Sequence, residues 1–451
     1  MAFLSIEFFV CLALVAAIFY GIPARWRTVY LLAVSYLLYS LWSPKYVVLL
    51  LALSLVVYLA GFAIAKASDD TRRGIFLVAA LSATVGALIA FKAFEASDGL
   101  LLPLGISYYS FKLISYLLEV YWGEPPETSV TAFLLYPSFF PQIVSGPIQR
   151  APDFFAQARE RFGAPACYSR IEEGFRLILG DRLALFIVAT DGESASYSRG
   201  IMLLTTFCYT LQLYADFAGY SNIAIGLGKI FGIDGPANFA APFAASSIPE
   251  MWRRWHMSLT SWIADYVFLP LQMALRDLGK SGLMLSIVAS MTLIGLWHGL
   301  TMNFLIFGLC HAVFVCVTVL TDPLRLRLFG KNRHARRVGQ VIGIVLTFDL
   351  MTFSQIFWHL RTWGEAVDRI RCLAGLARSG TLGLAGLPTN LVDGLFISMA
   401  LILFVGAGCP GIGLIKPGFA RIPNWLQYAG CMLLLSATHT DGGPGFIYGQ
   451  F

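Results

Sequence analysis

Residues 283–300 read LMLSIVASMTLIGLWHGL, eighteen positions without an Asp, Glu, Lys or Arg, closing on a histidine between a tryptophan and a glycine. A helix of about 20 apolar residues crosses the roughly 30 Å hydrocarbon layer of a bilayer, so this stretch reads as a span. After Thr301 the pattern repeats as MNFLIFGLCHAVFVCVTVL over 302–320. Further apolar runs lie at about 3–22, 28–42, 46–65, 74–94, 100–122, 131–148, 174–190, 200–215, 217–233, 259–275, 338–358, 391–408 and 422–438. The 451 residues are 57% hydrophobic and 13% charged. Soluble proteins carry about 25% charged residues, so a chain this poor in charge cannot cover its surface without lipid. A water-soluble globule, a disordered chain, collagen and a coiled coil are excluded. The expected fold class is an all-α polytopic membrane protein of about 11–14 transmembrane or re-entrant helices.

The net charge of +6, from 32 Lys and Arg against 26 Asp and Glu, fits membrane orientation and membrane lipid as a partner; nucleic acid is not expected. Arg25 and Arg27 follow the first run and Lys66, Arg72 and Arg73 the third, whereas the loop between offers Lys45 and the fourth run is followed by Glu95 and Asp98. The basic loops belong on the cytoplasmic side, which places the N-terminus outside. Arg150 to Arg170 and the cluster Arg325, Arg327, Lys331, Arg333, Arg336 and Arg337 are expected inside too; the second could instead dock anionic lipid or an acidic partner. Met1 to Tyr20 lacks a basic leader and carries Glu7, so it reads as the first crossing rather than a signal peptide. The eight Cys, without a C-x-x-C pair, read as small buried hydrophobes. Leu101–Ser107 and Pro137–Pro147, interrupted by Gly and Pro, read as broken segments, tolerated at membrane depth only where protein or water satisfies their backbone.

Polar residues inside apolar runs are costly and are the first place to look for function. In PEMWRRWHMSL (249–259), Ser247 with Glu250 three residues on is a capping-box start. Helical spacing would set Trp252, Trp255, His256 and Leu259 on one face, with Arg253 and Arg254 elsewhere and within reach of phosphates or anionic lipid. An interfacial Trp/Arg belt is the plain alternative. In GLWHGL (295–300), His298 between Gly295 and Gly299 is a general-base candidate, placed at the outer turn of a hairpin made by 283–300 and 302–320; a core histidine bonded to a carbonyl is the alternative. In YADFAGYSN (214–222), Asp216 could orient a histidine, bind an acceptor hydroxyl, or make a helix-packing hydrogen bond. FPQIVSGPIQR (140–150) reads as an architectural broken hairpin. His311, His334, His359 and His439 lack a comparable setting, so metal binding is not expected. No G-x-S-x-G elbow, H-E-x-x-H or Walker A sequence is present.

The blocks FFPQIVSGPIQR, YADFAGYSNIAIGLGKIFGIDGPANFAAPF, PEMWRRWHMSLTSWIADYVFLPL, MTLIGLWHGLTMNFLIFGLCHA and the terminal GFIYGQF occur in order from about residue 101 to the end. Together they resemble the membrane-bound O-acyltransferase family, in its bacterial branch of alginate O-acetylation and teichoic-acid D-alanylation proteins. The resemblance implies one domain over 1–451, with N-terminal helices over 1–100 and the family core over 101–451, built around a central tunnel or funnel. It implies a multi-pass protein of the bacterial cytoplasmic membrane that moves an acyl group, acetyl in the first reading and D-alanyl in the alternative. The donor would be a cytoplasmic thioester, acyl-CoA or an acyl-carrier protein, with no tightly bound cofactor and no metal. The acceptor would be a hydroxyl of an extracytoplasmic polysaccharide, reached directly or through a transfer partner protein. By position His298 becomes the catalytic histidine and His256 the second functional one, with Trp297, Asp216, Tyr220, Trp255, Arg253 and Asn303 as candidate substrate contacts. A transporter using the same polar residues as a proton path, or a non-catalytic scaffold of a polysaccharide-modifying complex, are the alternatives of another class.

Overall fold

In hydrocarbon a backbone N–H or C=O has no water to bond, so an apolar chain of this composition closes its hydrogen bonds within helices. The computed structural model describes residues 6–42, 44–98, 103–167, 169–171, 199–330, 332–360 and 362–376, and every regular element among them is helical. The runs expected at 174–190, 391–408 and 422–438, and the terminal GFIYGQF block, lie outside the described residues. Five of the described helical segments are long and apolar enough to cross a membrane: Pro44–Lys66, Asp70–Ala93, Arg276–His298, Met302–Phe329 and Arg333–His359. Contacts divide the chain into two units, Met1–Leu183 with Gly219–Ala237 and Cys431–Phe451, and Ala184–Ala218 with Asn238–Gly430.

The first unit contains α1 (Ile6–Gly21), α2 (Ala24–Trp42), α3 (Val47–Lys66), α4 (Asp70–Asp98), α5 (Ile106–Trp122), α6 (Val130–Ser138) and α7 (Ala151–Arg161). Phe19 meets Phe162 and Phe231 edge-on in its core, and Tyr20 Oη donates to the carbonyl of Ile230 at 2.6 Å. Val48, Leu59 and Val78 stand exposed on α3 and α4, as expected of surfaces that lipid covers. The broken segments take shape here. Gly105 sits at φ +71, and a Cβ there would lie 2.0 Å from the Ile143 carbonyl oxygen, so only glycine fits the junction before α5. The non-helical stretch after α6 is buried, and side chains reach its backbone: the Phe140 N–H donates to Ser35 Oγ at 3.2 Å and the Gln149 carbonyl accepts from Tyr136 Oη at 2.8 Å. Lys112 Nζ donates to the Tyr136 carbonyl, inside α6, at 3.1 Å and to Gln142 Oε1 at 2.8 Å. Gln142 Nε2 donates in turn to Gln149 Oε1 at 2.8 Å, and Gln149 Nε2 to Asp153 Oδ2.

A single helix, α8 (Arg199–Ile230), replaces the two runs expected at 200–215 and 217–233; Asp216 does not interrupt it. The second unit continues with α9 (Ile248–Trp252) and α10 (Met257–Ile263), a π-helical turn at Ala264–Phe268, and α11 (Leu269–Ala274). The run expected at 259–275 is thus three short pieces. α12 (Gly279–His298), α13 (Met302–Phe329), α14 (Arg333–Ser354), α15 (Ile356–His359) and α16 (Trp363–Leu373) follow. α12 and α13 form the expected hairpin, joined by residues 299–301. Gly343 brings α14 against the backbone of Ser246, where a Cβ would lie 2.4 Å from the carbonyl oxygen. The expectation that the cysteines are buried is corrected: Cys11 and Cys167 are exposed and Cys310, Cys316 and Cys372 half-buried, as apolar side chains also make up much of a protein's surface.

Candidate active site

His298 is the last residue of α12, and three glycines decide what surrounds it. A Cβ on Gly295 would lie 2.2 Å from the Phe304 carbonyl oxygen, and one on Gly308 would lie 2.6 Å from that of Met291. The α12 and α13 backbones therefore touch, which is how small residues let membrane helices approach. Gly299 is extended, and a Cβ there would meet the Phe304 ring at 2.6 Å. Thr301 caps α13 by accepting from the Phe304 N–H, so the chain reverses within three residues. The imidazole of His298 is held inside, 6% exposed, with ring centroids of Trp358 at 4.4 Å, Trp297 at 4.5 Å, Phe304 at 6.1 Å and Phe307 at 6.4 Å. Aromatic walls of this kind exclude water and lower the local dielectric, which strengthens any polar interaction made within them.

His256 reaches the same neighbourhood by a different local structure from the one expected. Residues 249–259 do not form one helix: α9 ends at Trp252 and His256 adopts the left-handed conformation, φ 44° and ψ 50°, before α10 begins. Asn238 takes up the backbone freed by the break. Its carbonyl accepts from the Met257 N–H at 2.9 Å, and its Oδ1 accepts from the Ser258 N–H and Oγ–H at 3.2 and 2.7 Å. The burial pattern survives the correction: Trp252, Trp255, His256 and Leu259 are buried and Arg253 is exposed. His256 packs on Phe217 at 4.6 Å and on Trp297 at 5.9 Å, so the Trp297 indole touches both imidazoles. In this connection between α9 and α10, burial pushes the His256 pKa well below its ordinary value and keeps the ring neutral.

The other expected positions divide. Trp255 packs with Phe239 at 5.2 Å and Tyr214 at 6.0 Å, extending the aromatic wall behind His256. Asn303 is buried in the first turn of α13; its Nδ2 donates to the Leu360 carbonyl at 2.8 Å, and its Oδ1 has no hydrogen-bond partner among the described residues. Asp216 is half-buried on α8, one residue before Phe217. Tyr220 belongs to the first unit, where it meets the backbone of Ser145. Arg254 is already committed: Nη2 donates to Glu250 Oε1 at 2.8 Å. Ser247 caps α9, but the returning Glu250 carboxylate accepts from Ser246 N–H and Oγ–H rather than from Ser247. Burial opposes ionisation of Glu250, yet the bonds from Ser246 and the Arg254 charge outweigh it and hold the carboxyl below its usual range.

Trp358, Phe307 and Phe217, which wall the two histidines, are not singled out in the sequence, and neither is the bonding of His311. His311 is fully buried, with Trp252 Nε1 at 3.3 Å from Nδ1 and Ser354 Oγ at 3.0 Å from Nε2. A signal was present: Phe304, Phe307 and His311 recur at helical spacing on one face of α13. No group of three His, Cys, Asp or Glu suited to a metal ion occurs among the described residues. The site offers imidazole nitrogens, an amide oxygen and apolar walls, which suits proton transfer at a hydroxyl.

Comparison with known proteins agrees with that chemistry. The model of the membrane-bound O-acyltransferase family matches residues 127–360, which hold both histidines. A protein of Azotobacter vinelandii named "probable alginate O-acetylase" is 32% identical over 344 residues, 69% of this chain and 67% of that protein. The peptidoglycan O-acetyltransferase of Helicobacter pylori is 26% identical over 407 residues, 78% of this chain and 74% of its own. The teichoic acid D-alanyltransferase of Bacillus subtilis is 32% identical over 275 residues, 56% and 67% of the two chains. This chain is a multi-pass membrane protein and belongs to the membrane-bound O-acyltransferase family.

Proposed function

We propose that this O-acyltransferase moves an acetyl group from a cytoplasmic thioester, acyl-CoA or a carrier protein, to hydroxyls of an extracytoplasmic cell-surface polysaccharide, in the bacterial cytoplasmic membrane. His298 is the general base. Its nitrogen takes the proton of the acceptor hydroxyl as that oxygen attacks the thioester carbonyl; the C–S bond breaks, and the imidazolium returns the proton to the departing thiolate. The products are an ester and a thiol. General-base help of this kind contributes about 100- to 10,000-fold. Neutral His256, across the Trp297 indole, positions the acyl group, and Asn303 Oδ1 accepts from a substrate N–H or O–H. Trp255 and Asp216 extend that subsite, and Arg253 and Tyr220 are further candidate substrate contacts.

The observation that carries this reading is the placement of His298 at a hairpin turn, walled by Trp297, Phe304, Phe307 and Trp358. Donor and acceptor arriving from opposite sides would meet there already oriented, replacing a bimolecular encounter by a positioned one. The acetyl reading is favoured over D-alanyl transfer because the alginate-type relative covers more of this chain than the teichoic-acid one. The test is transfer of labelled acetyl from acetyl-CoA, or of D-alanyl from a charged carrier protein, to polysaccharide in membranes holding the wild type or His298→Ala at matched levels. Acetyl transfer abolished by the substitution is expected. Transfer that persists in the variant overturns the role of His298, and D-alanyl transfer alone overturns the choice of acyl group.

A further inference from the structure

His311 carries no role in the reaction drawn above, yet both of its ring nitrogens are hydrogen-bonded within the second unit. The Ser354 hydroxyl has one proton and gives it to the Met351 carbonyl at 2.6 Å. At 3.0 Å from His311 Nε2, Ser354 Oγ can therefore only accept, so Nε2 bears hydrogen. The Trp252 indole nitrogen is a donor only, and it stands 3.3 Å from Nδ1, which must then be bare. Both constraints specify one neutral tautomer. Few side chains present a donor and an acceptor on opposite edges of one rigid plane; asparagine could imitate the Nδ1 end and glutamine the Nε2 end, each losing the other.

Each partner leads to a different wall of the site. Trp252 ends α9, four residues before His256, whose left-handed backbone needs an anchor on its N-terminal side. Ser354 ends α14, four residues before Trp358, which meets His298 at 4.4 Å. Phe307, one turn earlier on α13, meets His311 edge-on at 4.6 Å and reaches His298 at 6.4 Å. We propose that His311 is a positioning residue for acyl transfer: its doubly bonded ring ties the α9, α13 and α14 segments together and thereby sets the spacing of His256, Trp297 and His298. The proposal rests on the catalytic reading of His298 given above.

The experiment compares His311→Leu, His311→Asn, Trp252→Phe, Ser354→Ala and the double variant His311→Leu/Trp252→Phe in membranes, with rates normalised to folded protein. The thioester used is acetyl-CoA or the charged carrier, whichever supports the wild type. His311→Leu should lower kcat about 10- to 100-fold with donor KM within about twofold, since spacing rather than donor binding is disturbed. Trp252→Phe, which keeps an aromatic side chain and removes the N–H, should lower kcat in the same way. The double variant should be no slower than the slower single, because both break one tether. His311→Asn should recover part of the loss, and Ser354→Ala should show a smaller fall of the same kind. Unchanged kcat in folded His311→Leu, additive losses in the double variant, or a fall confined to folded yield would overturn the proposal. If His298→Ala also retains transfer, the catalytic reading fails; if it is inactive while His311→Leu turns over normally, only the tether fails.

Discussion

Both units bury polar side chains in apolar surroundings, and they do so in opposite ways. In the first, Lys112, Gln142, Gln149 and Asp153 hand hydrogen bonds along a line from α5 through the broken segment to α7. Buried polar groups satisfied in this manner rigidify a unique backbone, and here that backbone is the non-helical stretch that could not otherwise sit in a dry interior. In the second, His256 and His298 are framed by aromatic rings that exclude water without supplying carboxylates. The first arrangement spends its polarity on shape, and the proposed mechanism uses that of the second for chemistry.

The largest effect expected from this contrast is at His298. His298→Gln keeps a polar group of similar reach but removes the ring base, so transfer should fall about 100- to 10,000-fold while the thermal midpoint in detergent stays close to that of the wild type. Lys112→Met should do the reverse. It leaves Gln142 Oε1 and the Tyr136 carbonyl short of a donor, at about 1–3 kcal/mol for each buried group left unsatisfied, so the midpoint and membrane level drop. Turnover per folded molecule should be retained. Loss of turnover in Lys112→Met without loss of stability would erase the distinction between the two regions.

Two glycines sharpen it further. A methyl on Gly308 meets the Met291 backbone, which cannot yield without moving α12 and His298 with it. A methyl on Gly61 meets the ring and hydroxyl of Tyr116, the far end of a side chain, at 2.9–3.0 Å. Overpacking costs typically about 1–3 kcal/mol, so both Ala variants should melt earlier, as thermal scans in detergent would record, but only Gly308→Ala should also lower kcat. Equal turnover in the two would mean that the hairpin spacing does not set the site.

What the sequence makes legible follows the range of the forces involved. The hairpin of 283–320 is written in local composition, and His256 and His298 stand out because an isolated polar residue in an apolar run is expensive. The break at His256 is not written locally. Its left-handed backbone depends on Asn238, twenty positions from the Ser258 that Asn238 holds, and a periodicity argument sees only a helix. His311 escapes notice for the same reason: its partners Trp252 and Ser354 lie 59 and 43 residues away. Local pattern reports which segments are apolar, and only packing reports which of their side chains meet.

The smallest effect concerns the turn that presents His256. Glu250 is half-buried, accepts two bonds from Ser246, and pairs with Arg254 at 2.8 Å, so its carboxyl titrates below the usual range in the folded protein. A group whose folded pKa is depressed contributes stability above its unfolded pKa and loses it as pH falls through the folded one. The contribution is therefore complete at neutral pH and disappears in acid, below the ordinary glutamate pKa of about 4.3. Because solvent screens the partly exposed Glu250–Arg254 pair, it amounts to no more than about 1 kcal/mol. Glu250→Gln should lower the thermal midpoint slightly at pH 7 and leave it equal to the wild type in acid, with the two curves converging as pH falls. The second unit's reactive end should be insensitive to the change, since the Asn238 bonds that hold the backbone after His256 are untouched. A gap that widens toward acid would show instead that the carboxyl is held up by its burial, and the cap would then be acting as a neutral acid rather than as an anion facing Arg254.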